Sequence, residues 1–314
     1  MAPALVESIF YTSNDQNQRF VPWHGLGTPV EESPTSADAI RLAGLDWIVD
    51  SRPIFDSFGK EIDGYRANTR STDNSLLGIV SDRYKIVQNA EAFEFTDNLI
   101  SEEVRYETAG SLKDGKTVWL LAKLPEKLIL NDKFDPYVCF TNNHDGKGAV
   151  QVCLTPIRVV CNNTLNLALS KASRSWSTRH LGNINAKLAA AKHTLLMADS
   201  YMDELDKEAN RLSQIKITDA TIEAVIDELY PVKIDDSDRR KNNVIQIKEG
   251  IFKKYEMNDI SQFKGTAWGV INAVTDFADH TPPNRMTKNF QENNWGRIIT
   301  GHPLVDSFYN KIAA

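Results

Sequence analysis

Cysteine is scarce in this chain: the 314 residues hold three, Cys139, Cys153 and Cys161. An odd count with no CxxC spacing argues against a disulfide framework and fits reduced thiols in a cytosolic protein. Cys139 and Cys153 are expected to face the core of paired strands; a zinc site made from the three and a histidine is the alternative. Long apolar runs are missing as well. No stretch approaches the roughly 18 residues that a bilayer-spanning helix needs. The opening MAPALVESIFYTSNDQ has neither a basic n-region nor an apolar h-region, so no signal peptide and no membrane partner are expected. The expected location is the cytoplasm of the host cell. The phosphate-binding P-loop, HExxH, GxSxG and paired CxxC motifs do not occur. No catalytic residue, cofactor or metal is therefore expected, and the chain reads as a non-enzyme.

The most informative absence is of acid. The chain carries a net charge of −6 and a pI near 5.6, which argues against a polycation of the histone kind. Yet between Asp145 and Asp199 there is no Asp or Glu, while seven cations occur: Lys147, Arg158, Lys171, Arg174, Arg179, Lys187 and Lys192. An anionic partner is expected to meet the chain here.

What is present reads as an α+β protein, with antiparallel sheet and β-hairpins in residues 1–185 and a mostly helical region in residues 186–314. Early on, FVPWHGLGTPV (Phe20 to Val30) is a loop of fixed geometry. It presents either a stacking Trp23 beside a titratable His24 or a tryptophan that anchors the segment. A helix is expected from Ser36 to Ala43, with strands over Leu45 to Val49, Gly64 to Thr69 and Leu76 to Val80, then a helix over Asn89 to Ile100. Asp114-Gly115 predicts a hairpin turn between strands Val104 to Ala109 and Thr117 to Lys123.

Within the acid-free stretch, strands are expected over Tyr137 to Asn143 and Ala149 to Cys161, joined by a His144-Asp145-Gly146 turn. Pro156 implies an edge, bulge or bend in the second. Asn163 is placed to cap a helix over Thr164 to Ala172. Asn162, Asn163 and Thr164 at that helix start either hold a phosphate or satisfy the backbone of a tight corner. The following SRSWSTRH interleaves Arg174 and Arg179 with Trp176 and His180, the combination that single-stranded nucleic acid requires, charges along the backbone and a ring against a base. The candidate nucleic-acid-binding residues are Lys147, Arg158, Asn162, Asn163, Thr164, Lys171, Arg174, Trp176, Arg179 and His180.

Further on, Leu188, Leu195, Met202 and Ala209 recur every seven residues, with Ala191, Ala198, Leu205 and Leu212 as companions, so a helix is expected from Ile184 to Leu212. Its seam packs within the domain or against another subunit. Further helices are expected over Thr221 to Tyr230, Asp238 to Tyr255 and Trp268 to Ala278.

The blocks GYRANTRST, LLGIVSDRYKIVQNAEAFEF, YETAGSLKDGKTVWLLAKL, NNHDGKGAVQVCLTPIRVVCNNTLNLAL, SWSTRH and GTAWGVINAVTDFADH resemble the phage/plasmid-like proteins of a large bacterial, plasmid and viral family classed as a domain of unknown function. The resemblance runs from about Trp23 to His280 and is sharpest in RVVCNNTL and AGSLKDGKTVW. It implies a mobile-element protein and hands over no catalytic residues. At the level of architecture alone, hairpin, antiparallel strands and helix look like the single-strand annealing proteins of the Rad52 and phage-recombinase type. That likeness implies a cofactor-free homo-oligomer, ring or filament, holding single-stranded DNA in a basic groove.

Three functions follow. The first is ATP-independent binding and annealing of single-stranded DNA in recombination. The second is a host-interaction or anti-defence protein without nucleic-acid chemistry. The third is a metal-dependent nucleic-acid enzyme using His24 and His144-Asp145, although an adjacent His-Asp in a turn is far more often plain turn chemistry.

Overall fold

The structure, a computed structural model, describes residues 26–31, 33–99, 104–160, 163–169, 174–182, 193–283, 286–287 and 290–313. It is α+β, as expected, with antiparallel sheets, hairpins and packed helices. Its contacts divide the chain into two units, one of residues 1–125, 136–154 and 174–198, the other of residues 126–135, 155–173 and 199–314.

In the first unit, β1 (Thr28–Pro29) pairs with β5 (Arg105–Leu112), which pairs with β6 (Thr117–Lys123). β6 pairs in turn with the later part of β8 (Asp132–Asn143), from Lys123↔Tyr137 to Thr117↔Asn143. These strands read as near-continuous apolar runs, VWLLA against YVCF, and Val118 to Leu121 and Val138 to Phe140 are all buried. The β5–β6 turn places Lys113, Asp114 and Gly115 at positive φ, the geometry for which Asp-Gly is suited. Next to β8 runs β9 (Val150–Arg158), and the edge strand β11 (Ser175–Thr178) pairs with it from Ser175↔Cys153 to Thr178↔Val150.

A separate three-stranded sheet consists of β2 (Val49–Phe55), β3 (Glu61–Arg70) and β4 (Leu76–Ser81) in that order. The expected strand over Leu45 to Val49 instead begins at Val49, and Gly64 to Thr69 is the inner half of a longer strand. β4 pairs only with Tyr65 to Thr69, so the outer half of the β2–β3 hairpin is a two-stranded arm. Short helices α1 (Ser36–Leu42) and α2 (Asn89–Glu94) complete the unit; Thr35 caps α1 through the Asp38 amide.

In the second unit, β7 (Lys127–Ile129) pairs with the start of β8, and β10 (Asn163–Thr164) with Ile157 and Arg158 of β9. Pro156 falls between the residues of β9 that pair with β11 and those that pair with β10, where no ladder amide is required of it. The helices are α3 (His193–Gln214), α4 (Asp219–Leu229), α5 (Asp238–Tyr255), α6 (Ala267–His280), α7 (Phe290–Thr300) and α8 (Pro303–Ile312). Thr218, Ser237 and Thr266 cap α4, α5 and α6 with their hydroxyls. Helix α6 is buried on nearly every side, which its sequence AWGVINAVTDFADH permits because Asn272 and Thr275 bond back to Trp268 and Ile271 carbonyls. Met202, Leu205, Ala209 and Leu212 of the heptad seam are buried inside the molecule; Leu188 and Ala191 lie outside the described residues.

A further element differs from expectation. Residues 164–169 do not form a helix: Asn163–Thr164 is a strand, and 165–169 continue without regular structure. The segment LNLAL places a leucine at every second position, which is extended periodicity. Leu165 and Leu167 are buried, and their carbonyls accept from the Tyr201 hydroxyl at 3.5 and 2.8 Å. These tertiary partners replace the hydrogen bonds a helix would have made.

Candidate nucleic-acid interface

The loop between β8 and β9 is held by its own aspartate. Asp145 Oδ1 accepts from the Lys147 amide at 2.8 Å and the Gly148 amide at 3.3 Å, and Gly146 has φ of 76°. The loop rests directly on β4: a Cβ on Gly78 would lie 2.6 Å from Asp145 Cα. Opposite, the chain leaving β11 is fastened to the segment after β4. The Lys85 amide donates to the His180 carbonyl at 2.8 Å, and His180 Nδ1 lies 3.1 Å from the Lys85 carbonyl, so Nδ1 carries the proton. Tyr84 stacks on the His180 ring at 4.6 Å with its hydroxyl donating to the Asn143 carbonyl at 2.6 Å.

Between these parts of the first unit lies a cleft of about 640 Å³. Lys147 and Arg179 stand in its lining, with Gln151 and Ser81, and no Asp or Glu does. Among the described residues neither cation has a carboxylate partner. His180 forms part of the lining although it is only 2% exposed, and its Nε2 is without a hydrogen-bond partner. Burial lowers the His180 pKa, so the ring is neutral near pH 7 and Nε2 is an acceptor. The lining is thus basic through two exposed side chains and otherwise neutral, while the nearby Asp145 carboxylate, outside the lining, acts on His180 and Tyr84.

The ten candidate residues separate. Lys147, Arg179 and His180 converge on the cleft. Trp176 is half-buried on the edge strand β11, opposite Val152, outside the lining. Arg174 is half-buried and donates to the Leu154 carbonyl at 3.3 Å.

Arg158, Asn163 and Thr164 belong to the second unit and are engaged there. Arg158 is buried and meets Asp132 at 2.7 Å and Asp259 at 3.2 Å, with a further bond to the Asp259 carbonyl at 2.6 Å. Asn163 donates to the Asn272 carbonyl at 3.3 Å, and the Thr164 amide and hydroxyl both donate to Asp279 at 2.8 Å. Burial raises the Asp279 pKa to about 7 against those two bonds. Asn162 and Lys171 lie outside the described residues, as do Trp23, His24 and Cys161.

His144 is fully buried. Its Nε2 meets Asn89 Oδ1 at 2.9 Å, Trp47 packs edge-on at 5.4 Å, and burial followed by the nearby His180 brings its pKa down to about 3. Cys139 and Cys153 are buried thiols, as expected, with pKa values raised by burial. Among the described residues no cluster of three or more His, Cys, Asp or Glu is arranged for a metal, and no helix is long and apolar enough to cross a membrane. The residues sequence reasoning missed are Tyr84 and Gln151. Tyr84 enters from a segment some sixty residues upstream, and Gln151 is one polar position on an otherwise buried strand.

An α+β chain with a basic cleft at the side of an antiparallel sheet is the class that the fold and site define. The profile of the Domain of unknown function (DUF932) matches residues 76–297, and the chain belongs to that family. No curated protein and no solved structure matches it.

Proposed function

We propose that this chain is a phage- or plasmid-borne protein that binds single-stranded DNA and anneals complementary strands without ATP, working as a homo-oligomer. The observation that carries the reading is the cleft: two cations with no carboxylate partner among the described residues, Lys147 and Arg179, in a lining without acid, in a chain whose net charge is −6. An anion is drawn to such a place despite the acidity of the whole. The volume of about 640 Å³ suits a nucleotide-sized group. Half-exposed Trp176 on the adjoining edge strand supplies a ring for a base, and Gln151 an amide.

In this reading Lys147 and Arg179 take phosphates and Trp176 stacks. Arg158, Asn163 and Thr164 have no part in binding, since each is taken up by other groups of its own unit. The test is titration of the full chain with a labelled single-stranded oligonucleotide, followed by annealing of complementary strands without nucleotide. Binding at low salt that Trp176→Ala weakens by roughly 1–3 kcal/mol supports the reading. No binding at low salt overturns it.

A further inference from the structure

Every residue of the β2–β3 hairpin arm from Phe55 to Tyr65 is exposed. Yet its tip is ordered. Asp56 Oδ1 accepts from the Phe58 amide at 2.8 Å and the Lys60 amide at 2.9 Å, and the Asp56 amide closes the turn on the Lys60 carbonyl at 2.9 Å. This rigid turn leaves Phe58 93% exposed, with Phe55 57% exposed behind it. Two large apolar rings exposed together on a hydrogen-bonded turn form a surface that a partner can bury.

The charge of the tip restricts what that partner is. Glu61 is taken up by Arg66 at 3.3 Å, which leaves Asp56 and Asp63 against Lys60. A tip with excess acid is unsuited to phosphates and suited to a basic surface with an apolar wall. One such surface is the cleft described above, where Lys147 and Arg179 have no carboxylate partner among the described residues and Ile79 and Leu181, 55% and 42% exposed, line the wall.

We infer that the hairpin tip of one molecule docks into the basic cleft of a second copy, Phe58 against Ile79 and Leu181, Asp56 and Asp63 toward Lys147 and Arg179. Tip and cleft are different surfaces of one molecule, so the contact is heterologous. In a pair one copy keeps a free tip and the other a free cleft, so the association proceeds head to tail into rings or open chains. The inference shares the cleft with the nucleic-acid reading but stands on the arm; the contact is that of the chain free of nucleic acid, distinct from any assembly formed on DNA, and an oligonucleotide that enters the cleft displaces the tip.

The test is sedimentation velocity of the full chain over a wide concentration range, without nucleic acid, so that it fails or succeeds separately from DNA binding. Wild type is expected to associate progressively, less so as salt rises. Phe58→Ser weakens association by about tenfold or more, the effect of no longer burying one phenyl ring. Lys147→Glu/Arg179→Glu weakens it comparably. Mixing the two variants restores one contact, between the intact tip of the charge-reversed chain and the intact cleft of Phe58→Ser, and growth stops at two chains. That recovery also shows that both variants are folded. A wild-type chain monomeric at every concentration overturns the inference, as does association that Phe58→Ser leaves unchanged or a mixture that forms no pair.

Discussion

Arg158 shows how far a side chain's surroundings decide its role. In the sequence it is one of seven cations in an acid-free stretch. In the fold it is buried between Asp132 and Asp259, 26 residues before it and 101 after. Arg158→Ala leaves two carboxylates without their cation and is expected to lower unfolding free energy by roughly 3–5 kcal/mol, read by chemical denaturation. Asp279 acts in the opposite sense with pH. Its folded pKa of about 7 lies above the unfolded value of 3.8, so the folded state holds the extra proton between those limits. The stability it contributes is present at low pH and lost as pH rises toward and through about 7. Asp279→Asn keeps an acceptor for Thr164 without a charge. Its unfolding temperature relative to wild type is therefore expected to rise between about pH 5 and about pH 8, measured by thermal melts at both. Neither role could be read from the chain, because both depend on partners more than a hundred residues away.

At the scale of elements, local pattern was informative where it was strong. Apolar runs located β6, β8 and β9, Asp-Gly located the β5–β6 turn, and the heptad pattern located α3 from His193 onward. It failed where tertiary partners replace local ones. Asn163 reads as a helix cap, but the Leu165 amide that a cap would serve is bound by the Pro156 carbonyl, and the Asn163 side chain donates to the Asn272 carbonyl instead. The hairpin arm was missed because Pro53, Gly59 and Gly64 read as strand breakers, while the Asp56 turn keeps the arm extended. The cleft rests on close approaches of its loop to β4, among them that of Gly78 to the Asp145 backbone. Gly78→Ala forces the loop to shift and is expected to destabilise the fold by about 1–3 kcal/mol. In the nucleic-acid reading it also weakens oligonucleotide binding, which a titration beside a thermal melt separates from unfolding.

For the whole molecule, the acid-free stretch proved to be two things. Lys147, Arg179 and His180 come together at the cleft of one unit, while Arg158, Asn163 and Thr164 hold the other unit together. Charge along the sequence marked the region but could not distinguish a phosphate-binding cation from a buried one. The measurement that bears most directly on the account is the salt dependence of single-stranded oligonucleotide affinity in wild type and in Lys147→Gln/Arg179→Gln. Each phosphate contact on a single strand contributes about 0.7 to the slope of log affinity against log salt. The account predicts binding at low salt that falls steeply as salt rises, and a variant that binds more weakly with a slope flatter by about 1.4. A variant with the affinity and slope of wild type would contradict it.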